Sequence, residues 1–71
     1  MSLDLLLPLQ NLGLTEKEAH VYLSLLRLGE ASAYNVAKHS GLKRPTAYVV
    51  LEALIGRGLV RKKPAAGVMR F

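Results

Sequence analysis

The sequence predicts a mainly α (α+β) domain: a three-helix core, preceded by an extra short N-terminal helical segment and followed by a C-terminal β-hairpin. Three observations carry that expectation. Apolar residues recur at helical spacing in three successive segments, each opened by a capping residue or a proline and closed by a glycine. Beyond Gly58 the pattern changes to two short extended runs around a Pro/Gly turn. Finally, 71 residues with 51% hydrophobic content, three prolines and no low-complexity tract suffice for one packed domain and no more, because so short a chain buries only about 60% of its unfolded surface.

Residues 1–12 carry leucines at 3, 5, 6, 7, 9 and 12 around Pro8, which reads as one or two interrupted helical turns. This extension has two open roles, capping one end of the core or forming a dimer contact. Leu14-Thr15-Glu16-Lys17-Glu18 then starts the first long helix. Thr15 can accept from the third following amide while Glu18 reaches back to the Thr15 amide. Ala19, Tyr22, Leu23 and Leu26 form the expected inner stripe, with Leu25 widening it and Gly29 as the stop.

Ser32 is a good N-cap for a second, short helix with Ala33, Val36, Ala37 and Ser40 on one face and Gly41 at its end. The third helix is expected to begin at Pro45, whose missing N–H costs nothing at the first helical position and which pushes Arg44 out of helical angles. Its inner stripe is Ala47, Val50, Leu51 and Leu54, with Ile55 at the edge and Gly58 closing it. Two helices joined by so tight a glycine-containing turn make a helix-turn-helix over 32–57. Leu59 to Lys63 read as a strand, Pro64 to Gly67 as a turn and Val68 to Phe71 as a second strand. That hairpin, 59–71, is a wing, so the whole reads as a single winged helix-turn-helix domain over 1–71.

Charge is distributed unevenly. Up to Ala37 the acids outnumber the cations by two, whereas beyond it Lys38, Lys43, Arg44, Arg57, Arg61, Lys62, Lys63 and Arg70 are opposed by Glu52 alone, a balance of +7. A basic half of this kind fits a surface that meets a polyanion, with a merely solvated face as the bland alternative. The chain lacks cysteine, which excludes disulfides and thiolate metal sites and is compatible with a cytoplasmic location. Its longest near-continuous apolar stretch, Leu5 to Leu9, contains a proline and is far short of the roughly 20 residues of a membrane span, so no membrane partner is expected.

Enzymatic readings fail for want of parts. No nucleophile lies in a base-assisted context, His20 and His39 have no partners at metal spacing, and the glycines form no phosphate-cradling loop. No catalytic, cofactor or metal site is therefore expected. His39 is better explained by the dipole at its helix end, and Tyr22 as a core residue.

In a helix-turn-helix the second helix enters the major groove and its first residues reach base edges. Lys43, Arg44, Thr46 and Val49 are the candidates, all lying off the inner stripe. Arg44 comes first, since an arginine can bond guanine O6 and N7 together; its competing role is a phosphate contact. Thr46 can meet a thymine methyl or a phosphate. Tyr48 either packs beside Ile55 or turns its hydroxyl to the DNA backbone, with packing the favoured of the two. The amides of Ala33 and Tyr34 at the second helix N-terminus, with Ser32 and the Tyr34 hydroxyl, offer a phosphate seat or an ordinary cap. In the wing, Arg61, Lys62, Lys63 and Arg70 can follow the backbone or enter the minor groove, although strand alternation prevents all of them from facing DNA.

These residues resemble the DNA-binding domain of the TrmB-like transcriptional regulators, a winged-helix group. The likeness spans Leu12 to about Val60: Leu12-Gly13-Leu14-Thr15-Glu16 with Glu18-Ala19, then Val21-Tyr22-Leu23 with Leu25-Leu26 and Gly29, later Ala37 and Gly41, and Arg44, Tyr48, Leu51 and Leu54 through Gly58-Leu59-Val60. The resemblance implies a sequence-specific regulator acting as a homodimer on double-stranded DNA, with a further dimerisation or ligand-sensing domain after the wing, outside these 71 residues. The chain departs from the pattern at Gly56, where the family commonly has a charged helix former. An interior glycine costs about 1 kcal/mol relative to alanine, so fraying is expected there. The competing readings are a winged-helix protein–protein interaction adaptor without DNA binding, and a single-strand or RNA binder, which needs more stacking aromatics than three tyrosines and Phe71.

Overall fold

In a computed structural model of the chain, residues 8–65 and 68–71 are described. The expected three-helix core is present, with α1 at Glu16–Leu28, α2 at Ala33–Ser40 and α3 at Arg44–Gly56. A two-stranded antiparallel hairpin follows, β1 at Lys63–Ala65 and β2 at Val68–Arg70. Ahead of α1, residues 8–11 form a helical turn, and Leu9 packs against the core. The rest of the N-terminal extension lies outside the described residues.

The start of α1 is built as its sequence demands. Glu18 N–H donates to Thr15 Oγ1 at 3.1 Å and Thr15 N–H donates to Glu18 Oε1 at 2.8 Å, a complete capping box. Burial on α1 differs from the expected single stripe. Ala19, Val21, Leu23 and Ser24 are buried, Tyr22 and Leu25 are partly buried, and Leu26 is 62% exposed. The reason is tertiary: α1 packs against both α2 and α3, so it is covered on more than one side. Buried Ser24 is partnered by Nδ1 of His39 on α2 at 3.0 Å, which gives that histidine a specific contact beyond the helix-end dipole.

Ser32 caps α2 by accepting from Asn35 N–H, and Gly41 ends it in the left-handed region. The turn to α3 then spans residues 41–43. Helix α3 begins one residue earlier than expected: Lys43 is the N-cap, its carbonyl accepts from Ala47 N–H, and Arg44 is already helical. Pro45 still lies within the first turn, where its lack of an N–H leaves no bond unmade. The buried face is the expected one, Ala47, Val50, Leu51 and Leu54. At the far end Gly58, at φ 77°, closes a Schellman motif in which Gly58 N–H donates to the Ile55 carbonyl and Leu59 N–H to the Leu54 carbonyl. Gly56 is the last helical residue, not an interior one.

The wing differs in register from the expected hairpin. Strand β1 starts only at Lys63 and includes Pro64 and Ala65, so the pairs are Lys63 with Arg70, Pro64 with Met69 and Ala65 with Val68. Pro64 is tolerated because β1 is an edge strand. The middle position belongs to β2: on its other side Ala31 and Phe71 exchange both backbone bonds, and Ser32 bridges Arg70. The α1–α2 connection thus serves as a third short strand, fastening the root of the wing to the helix-turn-helix.

Candidate nucleic-acid interface

The expected base-reading residues sit at the N-terminal end of α3 and are open. Lys43 and Arg44 are exposed, Thr46 is half-buried and Val49 is 70% exposed. The N-cap Lys43 makes no capping bond with its side chain, as an ammonium has no lone pair to accept from the first-turn amides. Tyr48, for which packing was the favoured expectation, is 41% exposed. Its ring faces the Arg44 guanidinium instead, 6.0 Å from carbon to centroid. Tyr34 on α2 has its ring at the same distance from Arg44. Lys38, one turn beyond Tyr34, places its ammonium 5.9 Å from that ring.

One patch therefore unites Tyr34 and Lys38 of α2 with Arg44 and Tyr48 of α3, and Lys43 stands at the junction. Lys38 is the member that sequence reasoning missed. The available signal was its i, i+4 spacing from Tyr34, which puts both on the exposed side of α2.

Electrostatics separate this patch from Arg57, Lys62 and Lys63. All four glutamates approach a cation or a histidine: Glu16 with His20 at 3.8 Å, Glu18 with Arg57 at 3.4 Å, Glu30 with Lys63 at 3.1 Å and Glu52 with Lys62 at 3.1 Å. None of these pairs involves Lys38, Lys43 or Arg44. The Thr15 amide holds the Glu18 carboxyl below its ordinary range, burial opposes this, and Arg57 lowers it further. Arg57 also donates to the Gly13 carbonyl at 3.0 Å, so this arginine ties the end of α3 to the start of α1.

The wing cations alternate. Arg61 and Lys63 line a groove of 330 Å³ toward Tyr22, Leu25 and Phe71, whereas Lys62 turns to Glu52 on α3. Arg70 is half-buried, where β2 bridges Ser32. The side chain of Ser32 is engaged as the α2 cap, while Tyr34 projects from the first turn at 54% exposure. Among the described residues, no helix is long and apolar enough to cross a membrane, and no three His, Asp or Glu side chains gather to hold a metal ion.

A family model described as the sugar-specific transcriptional regulator TrmB matches residues 9–69. The chain belongs to the TrmB family. That family description names a regulator and no enzymatic activity. Over 57 residues, 80% of this chain, it is 42% identical to the HTH-type sugar sensing transcriptional regulator TrmBL1 of Pyrococcus furiosus. Over 50 residues, 70% of this chain, it is 48% identical to the uncharacterized protein YrhO of Bacillus subtilis. The matched parts are 17% and 18% of those two proteins, so this TrmB-family chain spans under a fifth of their length. No solved structure matches it. The winged helix-turn-helix expected from the capping and glycine pattern is thus the architecture this family member has.

Proposed function

We propose that the chain is the DNA-reading module of a transcriptional regulator, acting in the cytoplasm on double-stranded DNA as a homodimer on a two-fold operator. The N-terminal end of α3 enters the major groove and the wing lies on the sugar-phosphate backbone. The observation that carries this reading is the gathering of Lys38, Lys43 and Arg44 where α2 hands over to α3, with every glutamate engaged elsewhere.

Arg44 reads a guanine through O6 and N7, and the open Val49 meets a thymine methyl. Lys43 and Thr46 hold adjacent phosphates, and Ser32 and Tyr34 border the same surface. The wing's backbone contacts are drawn from Arg61, Lys62, Lys63 and Arg70, whose alternation keeps all four from facing the duplex at once. Membership in a family of regulators supports this reading, as does the name of the Pyrococcus relative. The same proposal includes the further dimerisation or ligand-sensing domain that the resemblance implies, placed after the wing and outside these 71 residues.

Selection of duplexes from a random library by the 71-residue chain, followed by affinity measurements against salt, tests the proposal. Enriched sites sharing one common half-site are expected, with affinity falling steeply as salt rises because counterions are released from neutralised phosphates. Failure to enrich any duplex at low salt, or affinity indifferent to salt, overturns it.

A further inference from the structure

We infer that Tyr34 and Tyr48 are positioning residues that hold the Arg44 guanidinium ready for base readout. The inference rests on the DNA-binding reading above and assigns these two rings a role that acts through Arg44. Tyr48 lies one turn beyond Arg44 on the same helix, whereas Tyr34 comes from α2. The guanidinium carbon is 6.0 Å from both ring centroids, within the range where a cation is drawn to an aromatic face.

An exposed arginine ordinarily samples many rotamers, and that freedom is lost when it forms two parallel bonds to a guanine. Rings contributed by two different helices narrow the sampling beforehand, so less is lost on binding. The arrangement also makes the orientation of the base-reading side chain depend on the α2–α3 angle. Lys38, 5.9 Å from the Tyr34 ring, adds positive charge beside it. Both rings are substantially exposed, so their replacement removes no core packing.

Two measurements on the 71-residue chain test this. In free protein, NMR is expected to show Arg44 side-chain resonances shifted by ring currents, and the shift to shrink in Tyr34→Leu and Tyr48→Leu. On DNA, a duplex enriched from the random library is compared with a scrambled duplex of equal length. Each leucine variant is expected to lose about two- to fivefold in the ratio of the two affinities, Tyr34→Phe to retain it, and Tyr34→Leu to add nothing in an Arg44→Ala background. Unchanged Arg44 resonances in both leucine variants overturn the inference whatever the DNA result. Equal losses in Tyr34→Phe and Tyr34→Leu, or additive losses with Arg44→Ala, also overturn it by making Tyr34 a direct DNA contact. If wild-type protein enriches no duplex while the ring shifts are present, the DNA-binding reading is what has failed.

Discussion

Arg44 and Arg57 stand at opposite ends of α3 in opposite surroundings. Arg44 lies open between two tyrosine rings with no glutamate paired to it, whereas Arg57 is bound to the nearly buried Glu18 and to the Gly13 carbonyl. The wing lysines resemble Arg57 in being paired, Lys62 with Glu52 and Lys63 with Glu30, although these contacts are exposed and correspondingly weak. Counting cations along a chain therefore overstates the charge available to a ligand. What matters is which cations the fold leaves without an acidic neighbour.

The sharpest way to break this comparison is Arg44→Ala. It is expected to lower affinity for an enriched duplex by about 1–3 kcal/mol and to relax base preference, read as the ratio of enriched to scrambled affinities. A uniform loss across sequences would make Arg44 a phosphate contact. At the other end, Glu18→Ala removes the carboxylate that accepts from the Thr15 amide, leaving the Thr15 Oγ1 half of the cap in place, and removes the partner of Arg57. A stability loss of about 1–2 kcal/mol is expected by thermal or denaturant unfolding, with base preference of the folded protein unchanged.

The Glu18 carboxyl also predicts a pH dependence. Its pKa is lower folded than its ordinary 4.5. Its contribution is therefore present above about 4.5 and is lost as pH falls through the folded value. Acid unfolding followed by circular dichroism should show a loss below pH 4.5 that is blunted in Glu18→Gln.

Among the cations, Lys43→Ala should reduce the slope of log affinity against log salt by about 1, whereas Lys62→Ala should change it less because Glu52 already faces that ammonium. Glu52→Gln sharpens the point, since freeing Lys62 should steepen the slope. The smallest effect is expected at Gly56. A Cβ there meets nothing within 4 Å, so Gly56→Ala should raise stability by about 0.5–1 kcal/mol and leave DNA affinity unchanged.

Local chemistry made much of the fold legible. The Thr15–Glu18 cap, the Ser32 cap, the left-handed glycines 41 and 58 and the Ala47–Leu54 stripe act over a few residues, so their order alone predicts three helices and the turn between the last two. The base-reading candidates followed from their place at the start of α3 and off its inner stripe. Burial on α1 was less legible: exposed Leu26 and buried Ser24 depend on how two other helices cover it. The hairpin itself was legible, but its first strand was expected at 59–63 and lies at Lys63–Ala65, because the sheet is also fastened through Ala31 and Ser32, residues that read locally as a loop and a cap.

The sequence by itself determined the helices, their caps and stops, and the concentration of positive charge in the second half of the chain. Each of these follows from interactions spanning about a turn or from composition. Only the tertiary structure decided which cations the glutamates engage, because Glu18 meets Arg57, and Glu30 meets Lys63, across long separations in the chain. Tertiary structure likewise brought Tyr34 of one helix beside Arg44 of the next. Coulomb and cation–π attractions act over a few ångströms of space whatever the sequence separation, so their partners are set by packing.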